Sequence, residues 1–600
     1  MQKRMIIHGL DEVKETIPKL SNPIALDTET TSLVYADQEL VGISLCDKET
    51  NCYINLYNNP DSENIILFLK KHFNGGQDFF FVMHNSPFDL SVLHKFGVDL
   101  SDSRVWDTMT GDHLIDERNP HGLKAVAKRL LDVDVKSFEE SVHLGYDNPK
   151  FFEYALNDSL WTLQIFDKQV PEINKLGLTK LMMVVEVPYN HVLTQMRVTG
   201  MHADMELNKK LIEKAYNLLV DLEVELYSIL GKKPSMQTTF CGKLIVSGEY
   251  NFDSNIHVAN ILNELGIELS EKTDTGKDKV DKHVLKKLEK EHKFVEKLVE
   301  YRKYKKLYTT YLEPFHEFVE KDGKIRPSLL NTGTKSGRLS SQRPNLQNLP
   351  NSKDDDPFQV RSQFVAPPGY TMIAVDFAGQ ELRILAVLSK DKNMYDALYN
   401  NKDLHQLTAD GMGISRFKGK IFNFSMAYGK TASGFSKDFG IEEDEAQKLM
   451  DKYYETYPGV LRATEKAHNE LSRFGYVKTL WGRRRRFKSQ VLNSQRYPGS
   501  TSQPFYTNRQ KRQAFNHKIQ GTASDMIRCS SNAVFQLGKE NPAWDLKQVV
   551  TVHDENVYII KKKYLEDALP QIKHAFENSF KSKMPFPAEL GTGHSYQEAK

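Results

Sequence analysis

YTMIAVDFAGQELRILAVLS, residues 370–389, is the stretch on which the fold turns. Its first half is a β-rich apolar run closed by Asp376, and a helix-like segment begins near Glu381. A carboxylate at a strand end is well placed to hold a metal over a neighbouring cleft. Further along, LKQVVTVHDENVYII, residues 546–560, sets His553, Asp554 and Glu555 between two strand-type runs. This predicts a hairpin whose turn lifts acids off the sheet surface. Carboxylates on adjacent strands can share two divalent ions, hard cations that take oxygen ligands.

Between these stretches lies RFKGKIFNFSMAYG, residues 416–429. Arg416, Lys420, Phe424 and Tyr428 are four apart, and at 3.6 residues per turn such a row stays on one side of a helix. Two cations suit a polyphosphate, and the aromatics beyond them offer flat surfaces for a base or sugar. Upstream, SGRLSSQRPNLQNLP, residues 336–350, carries Arg338, Asn345 and Gln347 in a Gly- and Pro-punctuated segment, suited to minor-groove acceptors. The run between Arg483 and Arg512 is basic with aromatics interleaved, which suits phosphates and an unpaired base; a solvated basic loop has the same composition. The acidic run Asp354 to Asp356 reads as a surface loop.

The first 170 residues read as an α/β unit. PIALDTETTSL predicts a strand with Asp27 and Glu29 on one side, since side chains two apart share a face. FFFVMHNSPFDLSVLHKFG predicts a buried strand and a helix, with Asn85 and Asp89 near the junction. FFEYALNDSLWTLQIF has helical periodicity, so Tyr154 and Asp158 lie together. Acids from three elements can hold two metals that activate a water against a phosphodiester. Asp107 is given a supporting role. From about residue 180 the pattern changes to long amphipathic helices, lysine-rich between Asp281 and Phe318, a plausible clamp on a duplex.

Six hundred residues imply three or four compact units. With 81 basic and 79 acidic residues the net charge of +2 says little about partners. Four cysteines without a CxxC pair imply neither a zinc site nor a disulfide framework, and fit a reducing, intracellular setting. No apolar run reaches the roughly 20 residues a membrane span needs. The start has no signal-peptide core.

Taken in order, DTET, NxxxD and YxxxD resemble the DEDDy 3′–5′ exonucleases. Arg338 to Pro350, Asp376 to Arg383, Arg416 to Gly429, Arg512 to Gln520 and Val552 to Glu555 resemble the ordered motifs of the family A DNA polymerases. The first resemblance implies an RNase H-like exonuclease domain over residues 1–178, with Asp27, Glu29, Asp89 and Asp158 binding two metals and Tyr154 orienting the attacking water. The second implies a right-hand polymerase domain over 179–600: thumb about 190–330, palm about 331–400 and 530–600, fingers about 401–529. There Asp376, Asp554 and the carbonyl of Phe377 would bind metal. Arg416, Lys420, Phe424, Tyr428, Glu381 and His405 would hold the dNTP, with Lys420 also a proton donor to pyrophosphate and Glu381 a block to a ribose 2′-hydroxyl. Arg338, Asn345, Gln347, Arg512, Asn516, Gln520, His553 and Glu555 would hold primer and template.

The implied cofactor is Mg2+, two ions per site, with Mn2+ as a substitute. The implied partners are primer–template DNA, dNTPs and replication accessory proteins, for a monomer away from membranes. The implied location is cytoplasm, host cytoplasm for a phage-encoded chain, or an organelle matrix after loss of a transit peptide. Ala378, Gly379 and Gln380 depart from the family's usual polar pair. The 5′ nuclease of many bacterial relatives and the thumb insert of some phage relatives are expected to be missing. A single-subunit RNA polymerase and a non-catalytic DNA-binding protein are the alternatives.

Overall fold

The computed structural model describes residues 2–600 except 75–77, 134–144, 239–243, 270–271, 273–275, 277, 351–355 and 491–504. The N-terminal unit is a six-stranded mixed sheet in the spatial order Lys3–Ile7, Thr50–Asn55, Leu40–Cys46, Ile24–Thr30, Phe80–Met83, Arg104–Asp107. Ile24–Thr30 lies inside it, antiparallel to Leu40–Cys46 and parallel to Phe80–Met83. Its first residues, Ile24 to Leu26, are buried among sheet and helices as their apolar character requires. The helix Pro149–Lys175 crosses this sheet; Asn148 caps it by accepting from the Lys150 N–H, and Pro149 opens it where no N–H is needed.

In the C-terminal part a four-stranded antiparallel sheet runs Lys547–Val552, Glu555–Lys561, Tyr370–Phe377, Ala588–Gly593. Period-two alternation divides Tyr370–Phe377 cleanly. Ile373, Val375 and Phe377 face a helical layer that includes Phe515, Ile519 and Met526 of the 33-residue helix Asn508–Glu540. Met372 and Ala374 face the opposite core, with Val360 and Tyr596. Asp376 falls on this second side, as does Glu555 of the neighbouring strand. Six helices between Lys392 and Phe474 form a separate lobe, and Met205–Ile229 packs against Lys293–Leu307 through Leu222, Leu226, Phe294 and Leu298.

Buried charge braces the C-terminal part and, through Arg484 and Arg486, ties it to the N-terminal unit. Glu186 is paired with Arg483 and lies 3.5 Å from Arg528, while the Nε of Arg483 donates to Asp525 at 2.7 Å. The arginines pull Glu186 down to about 2 despite its burial. Arg484 donates to the Leu176 carbonyl, and Arg486 pairs with Glu117 at 2.9 Å. This corrects the phosphate-binding expectation for the start of the basic run: these arginines are spent inside the protein. Residues 491–504 of that run lie outside the described residues. Asp356 is a second correction, because it is buried and accepts from the Phe358 and Val360 N–H groups rather than standing in a surface loop.

Candidate active sites

The N-terminal acids meet where three elements converge. Asp27 and Glu29 share one face of Ile24–Thr30. Thr28 between them donates both its N–H (2.9 Å) and its hydroxyl (2.7 Å) to Asp89 Oδ1, tying the helix Ser86–Lys95 to the strand. Asn85 enters that helix at φ 65°. Asp107 fixes the entry by accepting from the N–H groups of Asn85 and Ser86 at 3.1 Å, and it also caps Thr108–Ile115 through Met109 at 2.8 Å. Its supporting role is that of a cap on two helix starts. Tyr154 and Asp158 lie one turn apart on Pro149–Lys175 and are hydrogen-bonded.

Burial raises all four carboxyls, Glu29 to about 8 and Asp89 to about 7; for Asp27 and Glu29 the neighbouring carboxylates add to it. Lys124 opposes the rise. It pairs with Asp158, and its ammonium stands 4.2 Å from the Tyr154 ring centre and 4.7 Å from that of Trp161. Sequence reading missed Lys124. It belongs to no acid motif, and only its place in the first turn of Leu123–Leu131, above the core residues Val126 and Ala127, gives a signal.

The C-terminal acids meet at one end of the four-stranded sheet, around its two inner strands. Asp376 is in register with Glu555, and Val552 with Glu555, so His553 and Asp554 form the hairpin turn beside the end of the Asp376 strand. His553 takes φ 58°. Burial, then repulsion from Asp554, raises Asp376 to about 6, and burial raises Asp554. The Lys600 ammonium sits 3.3 Å from Asp376 Oδ2 and is paired with Glu555. Glu555, expected among the primer–template contacts, is instead 3% exposed. It accepts from the Tyr596 hydroxyl and lies 3.7 Å from Arg361, whose guanidinium covers the Tyr596 ring. Phe377 ends the strand in register with Ala588.

The helix Arg416–Ala427 presents the face its spacing predicts. Gly419, Phe422, Asn423 and Met426 are buried, while Arg416 and Lys420 are exposed and Phe424 is half-buried. Gly419 permits this packing: a Cβ there would lie 2.5 Å from the His405 carbonyl. The exposed face borders an open hollow of about 490 Å3 lined by Arg416, Lys420, Phe424 and Tyr428. Arg416 is paired with Asp403 at 2.7 Å; Lys420 has no ion pair among the described residues. His405 lies 5.7 Å from the Phe424 ring and 3.0 Å from the Asn423 amide, and burial lowers its pKa.

Glu381 links this helix to the acid pair. It is buried in the first turn of Gln380–Ser389, accepting from the Tyr428 hydroxyl and, at 2.6 Å, from Arg338. His553 hydrogen-bonds to the Gln347 backbone. Asn345 caps its own short turn through the Gln347 N–H. Arg512, Asn516 and Gln520 line one half-buried face of Asn508–Glu540, with Arg512 beside Gly429.

Donor chemistry tests whether divalent ions fit. Asp376 Oδ1 and Glu29 Oε1 are buried with no hydrogen-bond partner, and each acid group is met by one ammonium. Among the described residues no three His, Cys, Asp or Glu side chains are grouped as metal ligands in this arrangement. The oxygen-rich, charge-deficient sites fit hard cations, with the lysines supplying positive charge in this arrangement.

Comparisons with known proteins match both parts of the chain. Residues 232–598 match the model described as DNA polymerase family A, and residues 5–174 match one described as 3′-5′ exonuclease. Among curated relatives, DNA polymerase I of Pseudomonas aeruginosa is 28% identical over 96% of this chain and 63% of its own length. DNA polymerase I of Chloroflexus aurantiacus is 28% identical over 99% of this chain and 63% of its own. The thermostable DNA polymerase I of Thermus aquaticus is 30% identical over 69% of this chain and 48% of its own. The chain spans 57% to 64% of the length of the first five such relatives. A solved structure, the POL domain of Pol1 from M. smegmatis in complex with DNA primer-template and dNTP, superposes with a TM-score of 0.82 at 21% identity, covering 99% of this chain and all of that one. That likeness shows the fold, and the two family models give it an exonuclease-type domain followed by a polymerase-type domain. Among the described residues no helix is long and apolar enough to cross a membrane.

Proposed function

We propose, from the premise that this chain belongs to DNA polymerase family A, that it copies a DNA template from dNTPs and removes mispaired 3′ ends with its N-terminal site. One observation carries the reading. The Tyr428–Glu381–Arg338 connection holds the cationic and aromatic face of Arg416–Ala427 beside the strand end and hairpin turn that bear Asp376 and Asp554.

Arg416 and Lys420 bind the triphosphate, Arg416 leaving Asp403 for it, and Lys420 donates a proton to the departing pyrophosphate. Phe424 packs on the sugar and Tyr428 beside the base pair, with His405 at the edge of the Phe424 ring. Glu381, fixed from two sides, fills the space of a 2′-hydroxyl, which favours deoxynucleotides over the RNA polymerase alternative. Arg338, Asn345, Gln347, Arg512, Asn516, Gln520 and His553 hold primer and template; Glu555 keeps the hairpin in place from below. Asp376, Asp554 and the Phe377 carbonyl would hold Mg2+, as would Asp27, Glu29, Asp89 and Asp158. When bound, such ions lower the pKa of the attacking oxygen and neutralise charge on the leaving one. Tyr154 orients the water in the N-terminal site, and Lys124 offsets its negative charge.

We assign residues 1–178 to the exonuclease, and to the polymerase a thumb near 190–330, a palm near 331–400 and 530–600, and fingers near 401–529. The working partners are primer–template DNA and dNTPs. Labelled-primer extension on a DNA template, with dNTPs, with rNTPs and with neither, tests the reading. Extension with dNTPs and shortening with none are expected; extension with rNTPs alone, or neither product, would overturn it.

A further inference from the structure

A hollow of about 1020 Å3, lined by residues that belong to neither acid centre, opens where Lys180–Val184, the end of Gln380–Ser389, the Leu480–Trp481 turn and the segment Ser579–Phe586 meet. Leu181, Met526 and Met584 lie buried at its base. Val184 is 59% exposed and Leu480 52% exposed on its walls, with Val387, Trp481 and Phe580 half-buried beside them. Apolar side chains gathered in a concavity mark an interaction site rather than ordinary surface.

The charge around the hollow is one-sided. Lys180, Lys390, Lys392, Lys581 and Lys583 line it, all exposed, and none makes an ion pair or side-chain hydrogen bond among the described residues. Among the described residues Asp396 is the one lining carboxylate. Asp391, between two of the lysines, is buried and spent on the N–H groups of Met394 and Gly459. Glu577 is taken by the Ala588 N–H at 2.7 Å. In a chain with 81 basic and 79 acidic residues, five free lysines against one free acid is a local excess aimed at an anionic partner.

The apolar part decides which kind of anion. Trp481 and Phe580 meet edge to face, 5.7 Å apart at 77°, so they do not form parallel platforms for successive bases. The rest of the wall is mainly aliphatic, with Tyr395 and Phe586 also lining it, and the cations are lysines, point charges without arginine's planar fork. Apolar depth without parallel aromatic platforms, ringed by point charges, suits bulky apolar side chains flanked by carboxylates. We propose that this hollow is a docking site for an acidic segment of a partner protein, anchored by bulky apolar residues. The site is independent of nucleotide turnover, so its test stands apart from the polymerase reading.

A displayed random dodecapeptide library, panned on the full chain, supplies the probe. Enriched peptides are expected to combine Asp or Glu with Leu, Phe or Trp. A synthetic copy of the most enriched peptide should bind at least about tenfold more weakly to K390E/K392E/K581E/K583E and to Leu480→Ser, and should weaken as NaCl rises from about 50 to about 300 mM. Primer extension and circular dichroism of the variants confirm their folding separately. Failure of any peptide to enrich, enrichment without acids, or equal binding to the variants would overturn the proposal. An oligothymidylate whose binding falls with the same substitutions, while the peptide's does not, would overturn it in favour of single-stranded nucleic acid.

Discussion

The two acid centres gather the same kind of carboxylates in opposite surroundings. In the N-terminal one, Asp89, Asp158 and Glu29 are 2%, 4% and 6% exposed, enclosed by a strand and two helices. In the C-terminal one the Asp376 side chain is 34% exposed near the end of an inner strand, and a separate helix with a cationic and aromatic face stands beside it. An enclosed cluster raises its own carboxyls and, on the proposed reading, admits a single frayed strand end. An open pair tolerates its charge better and, on the proposed reading, leaves room for a duplex and takes its substrate contacts from another lobe.

The largest expected effect breaks the two apart. Asp376→Ala should lower extension at least about a thousandfold, or about 4 kcal/mol, and leave degradation of a labelled primer intact. Asp27→Ala with Glu29→Ala should do the reverse. Extension by Asp376→Ala at the wild-type rate would end the assignment.

Enclosure should show next, as pH dependence in metal-free protein. Glu29 is raised from 4.5 to about 8, so the folded state holds its proton more tightly than the unfolded chain does. The stability this supplies is complete below about pH 4.5 and is lost as pH rises through about 8. Glu29→Gln should match the wild type near pH 4 and exceed it by about 1–3 kcal/mol near pH 9. Asp376→Asn should show a smaller gain, complete by about pH 6–7, because Asp376 is raised only to about 6. Melting temperature against pH in EDTA measures both, and equal gains would erase the distinction.

Sugar selectivity sharpens the open site. Phe424 has no hydroxyl to replace the hydrogen bond lost with a missing 3′-OH, whereas Phe424→Tyr adds a donor and acceptor to nearly the same ring. Discrimination against dideoxynucleotides should fall at least about tenfold, since charge-assisted hydrogen bonds contribute roughly 1.5–3 kcal/mol. Chain-termination assays at matched dNTP and ddNTP concentrations read this out. No change would move Phe424 away from the sugar.

The smallest effect expected is at the 2′ position. Glu381→Ala should admit ribonucleotides several-fold more readily, with some loss of rate because Arg338 and the Tyr428 hydroxyl lose their acceptor. The ratio of dNTP to rNTP efficiency is the measurement. An unchanged ratio would leave Glu381 only the task of linking helix to palm.

Sequence by itself determined whatever is written at short range. Side chains two apart on a strand gave Asp27 and Glu29 a common face, and residues four apart on helices did the same for Tyr154 with Asp158 and for Arg416, Lys420, Phe424 and Tyr428. A break between β-rich runs marked the hairpin around His553, Asp554 and Glu555, and the structure narrowed its turn to the first two. What tertiary structure alone decided was which charges find each other and which meet water. Lys124 reaches Asp158, Lys600 reaches Asp376 and Glu555, Arg483 leaves a basic run to join Glu186 and Asp525, and the five lysines around the hollow converge from three distant segments. Periodicity fixes the face a side chain takes on its own element. The partner on that face comes from chain tens or hundreds of residues away, and the cost of burying a lone charge applies only once the two are packed together.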